Sequence, residues 1–183
     1  MTPTQLLIPT YTQMLRALSA WLTKAEKNPS VDEAVMAAKL APDMFPLSTQ
    51  VRFSCVQAYE GVARLRDEEF PPIWYALLTE GRDRHETPGS IADANARVEE
   101  ALAFLDAVDR GALSDDSSCA VALKLPDGRV FDMTSEQYVR DWAIPQFYFH
   151  VMTAYSLLRQ AGVDLGKADY VQHAFAYLRS DNQ

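Results

Sequence analysis

Apolar residues recur along the chain at two different spacings, and the change from one to the other divides it into elements. From the N-terminus, Leu7, Tyr11, Met14, Leu18, Trp21, Leu22 and Ala25 follow one another at three- and four-residue steps, the spacing that lines one side of a helix. This predicts a first long helix, with a kink or late start at Pro9, whose ring removes a backbone donor. A short helical piece over 31–38 leads into LAPDMFPL, where two prolines and Asp43 break the helical pattern and make a rigid connector. A second helix begins near Pro46, a residue suited to a first turn, and carries Leu47, Val51, Ser54, Cys55, Ala58, Val62 and Leu65 before fading in RDEE.

Residues 67–89 mix a proline pair, an apolar knot from Ile73 to Leu78 and a charged tail, which reads as a long excursion with one helical turn. Ser90 with Asp93 three residues on forms an N-terminal cap for a third helix, whose stripe is Ile91, Ala94, Val98, Ala101, Leu102, Leu105 and Val108. Between 114 and 134 the period drops to two: Val121, Leu123 and Leu125 alternate, Pro-Asp-Gly follows, and the alternation resumes to Thr134. That is a small β-hairpin. Thr134 and Gln137 make a capping box that starts a fourth helix, bent at Pro145 and closed by Gly162. A last short helix, KADYVQHAFAYLRS, is expected to pack across the others.

Four long amphipathic helices predict an all-α, four-helix-bundle fold with a hairpin before the last bundle helix and a short C-terminal helix. Neither a repeat nor a linker divides the chain, so 1–183 is read as a single helical-bundle domain, a length that fills one core. The net charge of -8, from 25 acids against 17 bases, leaves no excess of Lys and Arg to displace the counterions of a phosphate backbone, so no nucleic-acid partner is expected. No segment approaches the roughly 20 apolar residues that cross a bilayer, so no membrane partner is expected either. Nor does the N-terminus carry the basic start and unbroken apolar run of a signal peptide. Two cysteines, Cys55 and Cys119, do not resemble a disulfide scaffold, and a cytoplasmic setting is expected.

Candidate chemistry is sparse. The histidines at 85, 150 and 173 form no metal-binding spacing, and neither a phosphate loop nor a Gly-x-Ser-x-Gly elbow is present. His85 lies in a hydrophilic loop and His173 in the terminal helix, and both read as solvated or surface side chains. His150 differs, because Gln146, His150 and Thr153 draw a polar line along a helix otherwise rich in Phe147, Tyr148, Phe149 and Tyr155. One reading is a buried histidine satisfied by a neighbour; the other is a pocket residue between helices. Asp43 either faces that pocket or caps the next helix. The aromatic residues Trp21, Phe45, Tyr148 and Tyr155 read as core before cofactor cradle.

Two longer stretches, LAPDMFPLSTQV and PQFYFHVMTAYSLLRQAGVDLGKADY, resemble the signatures of a bacterial domain-of-unknown-function family grouped with the DinB-like and YfiT-like metalloenzymes. The resemblance covers the chain from about Leu7 to Tyr170. It implies an up-down-down-up four-helix bundle, often a homodimer, with a pocket at one end. In DinB-like relatives three histidines hold a divalent metal there, one from the second helix and two set four residues apart on the last bundle helix. Laid over this chain, those positions fall on Gln50, Gln146 and His150. Neutral amides are poor ligands beside imidazole, so no cofactor is expected, and any Zn or Ni held by His150, Gln146 and Gln50 would be held weakly.

Three uses follow from this resemblance. The first is an unknown small molecule bound by Asp43, Gln50, Gln146, His150 and Tyr155. The second is a transferase, metal-dependent or not, with His150 as the candidate catalytic residue. The third is a dimeric interaction protein without catalysis.

Overall fold

A computed structural model describes residues 2–84, 86–109 and 116–179. Helix α1 runs Pro3–Glu26 without interruption at Pro9. Its start lies earlier than the apolar stripe alone predicts, because Thr2 and Gln5 form a reciprocal capping box: Gln5 N donates to Thr2 Oγ1 at 3.2 Å and Thr2 N to Gln5 Oε1 at 3.1 Å. Six residues of helix ahead of Pro9 are thereby secured. A 3-10 turn over Glu33–Ala37 and the proline-flanked connector lead to α2, Leu47–Arg66, in which Pro46 takes the N-cap position outside the first turn.

The segment read as an irregular excursion contains a full helix, α3, Pro72–Asp83. Pro71 is its N-cap and Pro72 its first residue, where a fixed φ and a missing N–H favour helix initiation. Tertiary contacts then hold it against α2. Thr49 Oγ1 donates to the Gly81 carbonyl oxygen at 2.6 Å, and the fully buried Arg52 donates from Nε to Glu80 Oε1 at 2.7 Å. Arg84 and Arg97 converge on the same carboxylate at 3.2 and 3.1 Å, which joins α3 to α4, Ile91–Ala107. The Ser90 and Asp93 capping box that starts α4 is formed in both directions.

Strands β1, Ala120–Lys124, and β2, Val130–Thr134, pair antiparallel with Ala120 opposite Thr134 and Lys124 opposite Val130; Gly128, at φ +90°, makes the turn. Only Val121 and Leu123 of this ribbon are buried. The fourth bundle helix is built in three pieces. A first turn, α5, Ser135–Gln137, carries the Thr134 capping box; a π-helical stretch spans Tyr138–Ala143; and α6 covers Ile144–Gln160. Pro145 sits in the first turn of α6, so the wide π-helical stretch just before it accommodates the donor the proline lacks. Gly162, at φ +85°, closes the helix as expected.

Helices α1, α2, α4 and α6 enclose one buried cluster, with α3 and the hairpin on the outside of α2. The C-terminal stretch differs from the single packed helix expected there. It is a one-turn α7, Lys167–Tyr170, and a 3-10 segment, Gln172–Tyr177. Tyr170 stacks on Trp21 at 5.8 Å, whereas Phe175, Tyr177 and Leu178 remain exposed. No helix among the described residues is long and apolar enough to cross a membrane.

Candidate functional site

The side of α2 turned toward α3 and the hairpin carries an unusual series of side chains. Gln50, Phe53, Gln57, Glu60 and Arg64 follow at steps of three and four, so they share one side of the helix. Opposite them, α6 presents Gln146, Phe149 and His150. Between these helices, α3 and the hairpin lies a cavity of about 560 Å³. Trp74 and Leu78 close it from α3, and residues 123–126 close it from the hairpin. Six aromatic residues contribute to its wall: Phe45, Phe53, Phe70, Trp74, Trp142 and Phe149.

His150 lies in this wall and is 9% exposed. Its Nδ1 is 2.8 Å from Gln50 Oε1, and Gln50 Nε2 in turn donates to the Phe45 carbonyl oxygen at 3.1 Å. Gln50 therefore stands behind the imidazole, outside the cavity lining. Phe53 and Phe149 meet the ring edge-to-face at 5.4 and 5.3 Å. Burial in this apolar setting pushes the His150 pKa down to about 4, so the ring is neutral across the physiological range.

The other expected site residues divide. Gln146 lines the cavity and has no hydrogen-bond partner among the described residues. Thr153, the third member of the polar line, turns its hydroxyl to the Phe149 carbonyl oxygen at 2.7 Å. Two residues of the expected ligand set lie elsewhere. Asp43 is exposed in the connector and neither lines the cavity nor caps α2, because the chain needs three more residues to reach the cap at Pro46. Tyr155 follows His150 by five residues, which turns it about 140° around the helix. It packs instead on Trp21 and Tyr170 at 5.2 and 5.7 Å. Of the aromatic residues read as core, Phe45 is 42% exposed at the cavity mouth. His173 is half-buried, and His85 lies outside the described residues.

Three polar cavity residues on α2 are absent from the set expected from the sequence: Gln57, Glu60 and Arg64. The signal was available in the sequence, since they continue the face of Gln50 at +7, +10 and +14, where a plain core stripe would be apolar. Glu60 accepts from Arg64 Nε at 2.8 Å, and Arg64 Nη1 donates to the Ala122 carbonyl oxygen at 3.3 Å while its guanidinium lies 5.0 Å over Phe70. Among the described residues, Gln57 Oε1 and Trp74 Nε1 are sealed in this wall without a partner. Each such orphan costs about 1–3 kcal/mol.

The metal that the DinB-like resemblance implies needs several strong donors. Among the described residues no group of three or more His, Cys, Asp and Glu side chains could hold one. His150 supplies a single imidazole, and the Gln50 amide is already engaged at both ends. This donor set does not fit a tightly held transition metal.

The class defined by these elements is that of the DinB-like helical bundles. A crystal structure of a DinB family member protein from Shewanella denitrificans aligns with a TM-score of 0.72 and 27% identity, over 98% of this chain and 94% of that one. Residues 4–171 match the model of a domain of unknown function, DUF1993, and the chain belongs to that family. Among curated proteins none matches.

Proposed function

We propose that this protein binds a small molecule in the cavity between α2, α3, α6 and the hairpin. One observation carries the reading: a buried neutral imidazole, fixed from behind by Gln50, stands in the wall of an aromatic cavity of about 560 Å³. Ligand sites combine such a volume and an apolar lining with a few oriented polar groups. Gln146 supplies a second such group, and the Glu60–Arg64 pair bounds the cavity farther along α2.

The arrangement favours binding over acid-base catalysis. A general base works best with a pKa near the working pH, and a ring whose pKa is pushed down to about 4 is a weak base at neutrality.

A thermal-shift screen of a metabolite collection tests the reading, run on the wild type and on Leu78→Trp, which puts an indole into the cavity from α3. A ligand at one hundred times its dissociation constant adds about 2.7 kcal/mol of stability. Hits are expected to raise the wild-type melting temperature and to leave Leu78→Trp unmoved. Hits that stabilise both proteins equally, or a screen without hits, would contradict the proposal.

A further inference from the structure

The hydrogen bonds behind His150 restrict what chemistry can meet it in front. Gln50 gives its Nε2–H to the Phe45 carbonyl, so the end of the amide that faces the imidazole is the oxygen. An amide oxygen only accepts. Nδ1 therefore carries the ring proton, and in the neutral imidazole Nε2 holds the lone pair. No described residue donates to Nε2. Whatever meets it must bring a proton donor, and a carboxylate or other bare acceptor would face a lone pair.

Charge narrows the class further. Glu60 is the sole carboxylate on the described wall and is already paired with Arg64, while Arg82 and Lys124 lie at the exposed margin. Three cations to one engaged carboxylate make the cavity unfavourable for an ammonium group. The aromatic rings around His150 favour a flat partner that can lie edge or face against them.

Resting on the reading of the cavity as a ligand site, we infer that it takes flat, non-cationic aromatic molecules bearing an O–H or N–H, such as phenols and N–H heteroaromatics, with that donor on His150 Nε2. A negative group is tolerated only at the end remote from the donor, beside Arg82 or Lys124.

The test is an NMR titration of the ¹⁵N-labelled protein with matched probes: 4-ethylphenol against 4-ethylanisole, indole against 1-methylindole, and tyramine as a cationic phenol. The donor-bearing member of each pair is expected to bind about fivefold or more tightly than its methylated partner, a ratio set by one hydrogen bond. It should also move the His150 Nε2 resonance, and tyramine should bind more weakly than 4-ethylphenol. In His150→Phe the preference for the donor should vanish; if that variant does not fold, the wild-type comparison decides alone. Equal affinity within the pairs, or a preference for tyramine, overturns the inference and leaves the cavity a ligand site. If no probe moves any cavity resonance at millimolar concentration, the ligand-site reading falls and the inference falls with it.

Discussion

His150 Nδ1 and Gln50 Oε1 lie 2.8 Å apart across the interface of α2 and α6, although one hundred residues separate them in the chain. A glutamine, unlike a carboxylate, orients the ring without charging it. Replacing Gln50 by Glu would put a negative charge at that distance and favour the imidazolium. The His150 pKa is expected to rise from about 4 in the wild type to above the ordinary histidine value in Gln50→Glu, as read by NMR titration. An unchanged pKa would mean that the contact does not exist in solution.

The same ring makes stability depend on pH with a defined sign. The folded state holds His150 near pKa 4, and the unfolded chain holds it at the ordinary 6.5. Between those values the unfolded state binds the extra proton. Stability is therefore full above about pH 6.5 and is lost as pH falls through the folded pKa, by at most about 3 kcal/mol. Carboxylates also contribute to acid sensitivity, so the expected observation is a difference: urea melts of His150→Phe should lose stability less steeply than wild type between pH 6.5 and 4.

Glu80 joins three helices through Arg52, Arg84 and Arg97. Burial works to raise its carboxyl pKa, and the hydrogen bond and charge of Arg52, together with Arg97 and Arg84, outweigh this and hold it below the ordinary value. Arg52 has no solvent to turn to. Glu80→Ala is expected to cost about 3–5 kcal/mol in chemical denaturation, because it strands a buried guanidinium. A loss below 1 kcal/mol would show that Arg52 finds another partner.

Gly81 of α3 sits against Phe53 of the cavity wall. A Cβ there would lie 2.6 Å from Phe53 Cε1, and Phe53 packs on His150. Gly81→Ala is expected to destabilise by about 1–3 kcal/mol through overpacking and to shift the His150 ring resonances. The destabilisation without the shift would mean that Phe53 moves away from the site rather than into it.

Which of these features could be read from the sequence follows from where their determinants lie. The hairpin and the capping boxes at Ser90 and Thr134 are local, so neighbouring residues specify them and the structure reproduces them. Helix α3 exceeds the single turn expected in 67–89 because the Pro71–Pro72 pair looks like a breaker unless it falls at a start, and its anchors Thr49 and Arg52 lie in another helix. In the site, His150 is marked by the polar line it forms with Gln146 and Thr153 on an aromatic-rich helix, whereas periodicity does not point to Gln50, which only the DinB-like resemblance brings beside it. Asp43 and Tyr155 lie off the cavity for opposite reasons. The first lies in a connector whose path no periodicity describes, and the second lies on the correct helix but turned away from the cavity.

The protonation of the His150 ring decides what the cavity can meet. Two-dimensional ¹⁵N correlation of the imidazoles between pH 4.5 and 8, with His150 assigned through His150→Phe, reads both nitrogens at once. The structure predicts a neutral ring with the proton on Nδ1, a bare Nε2, and no titration near pH 6.5. A proton on Nε2, or a midpoint near the ordinary histidine value, would contradict it.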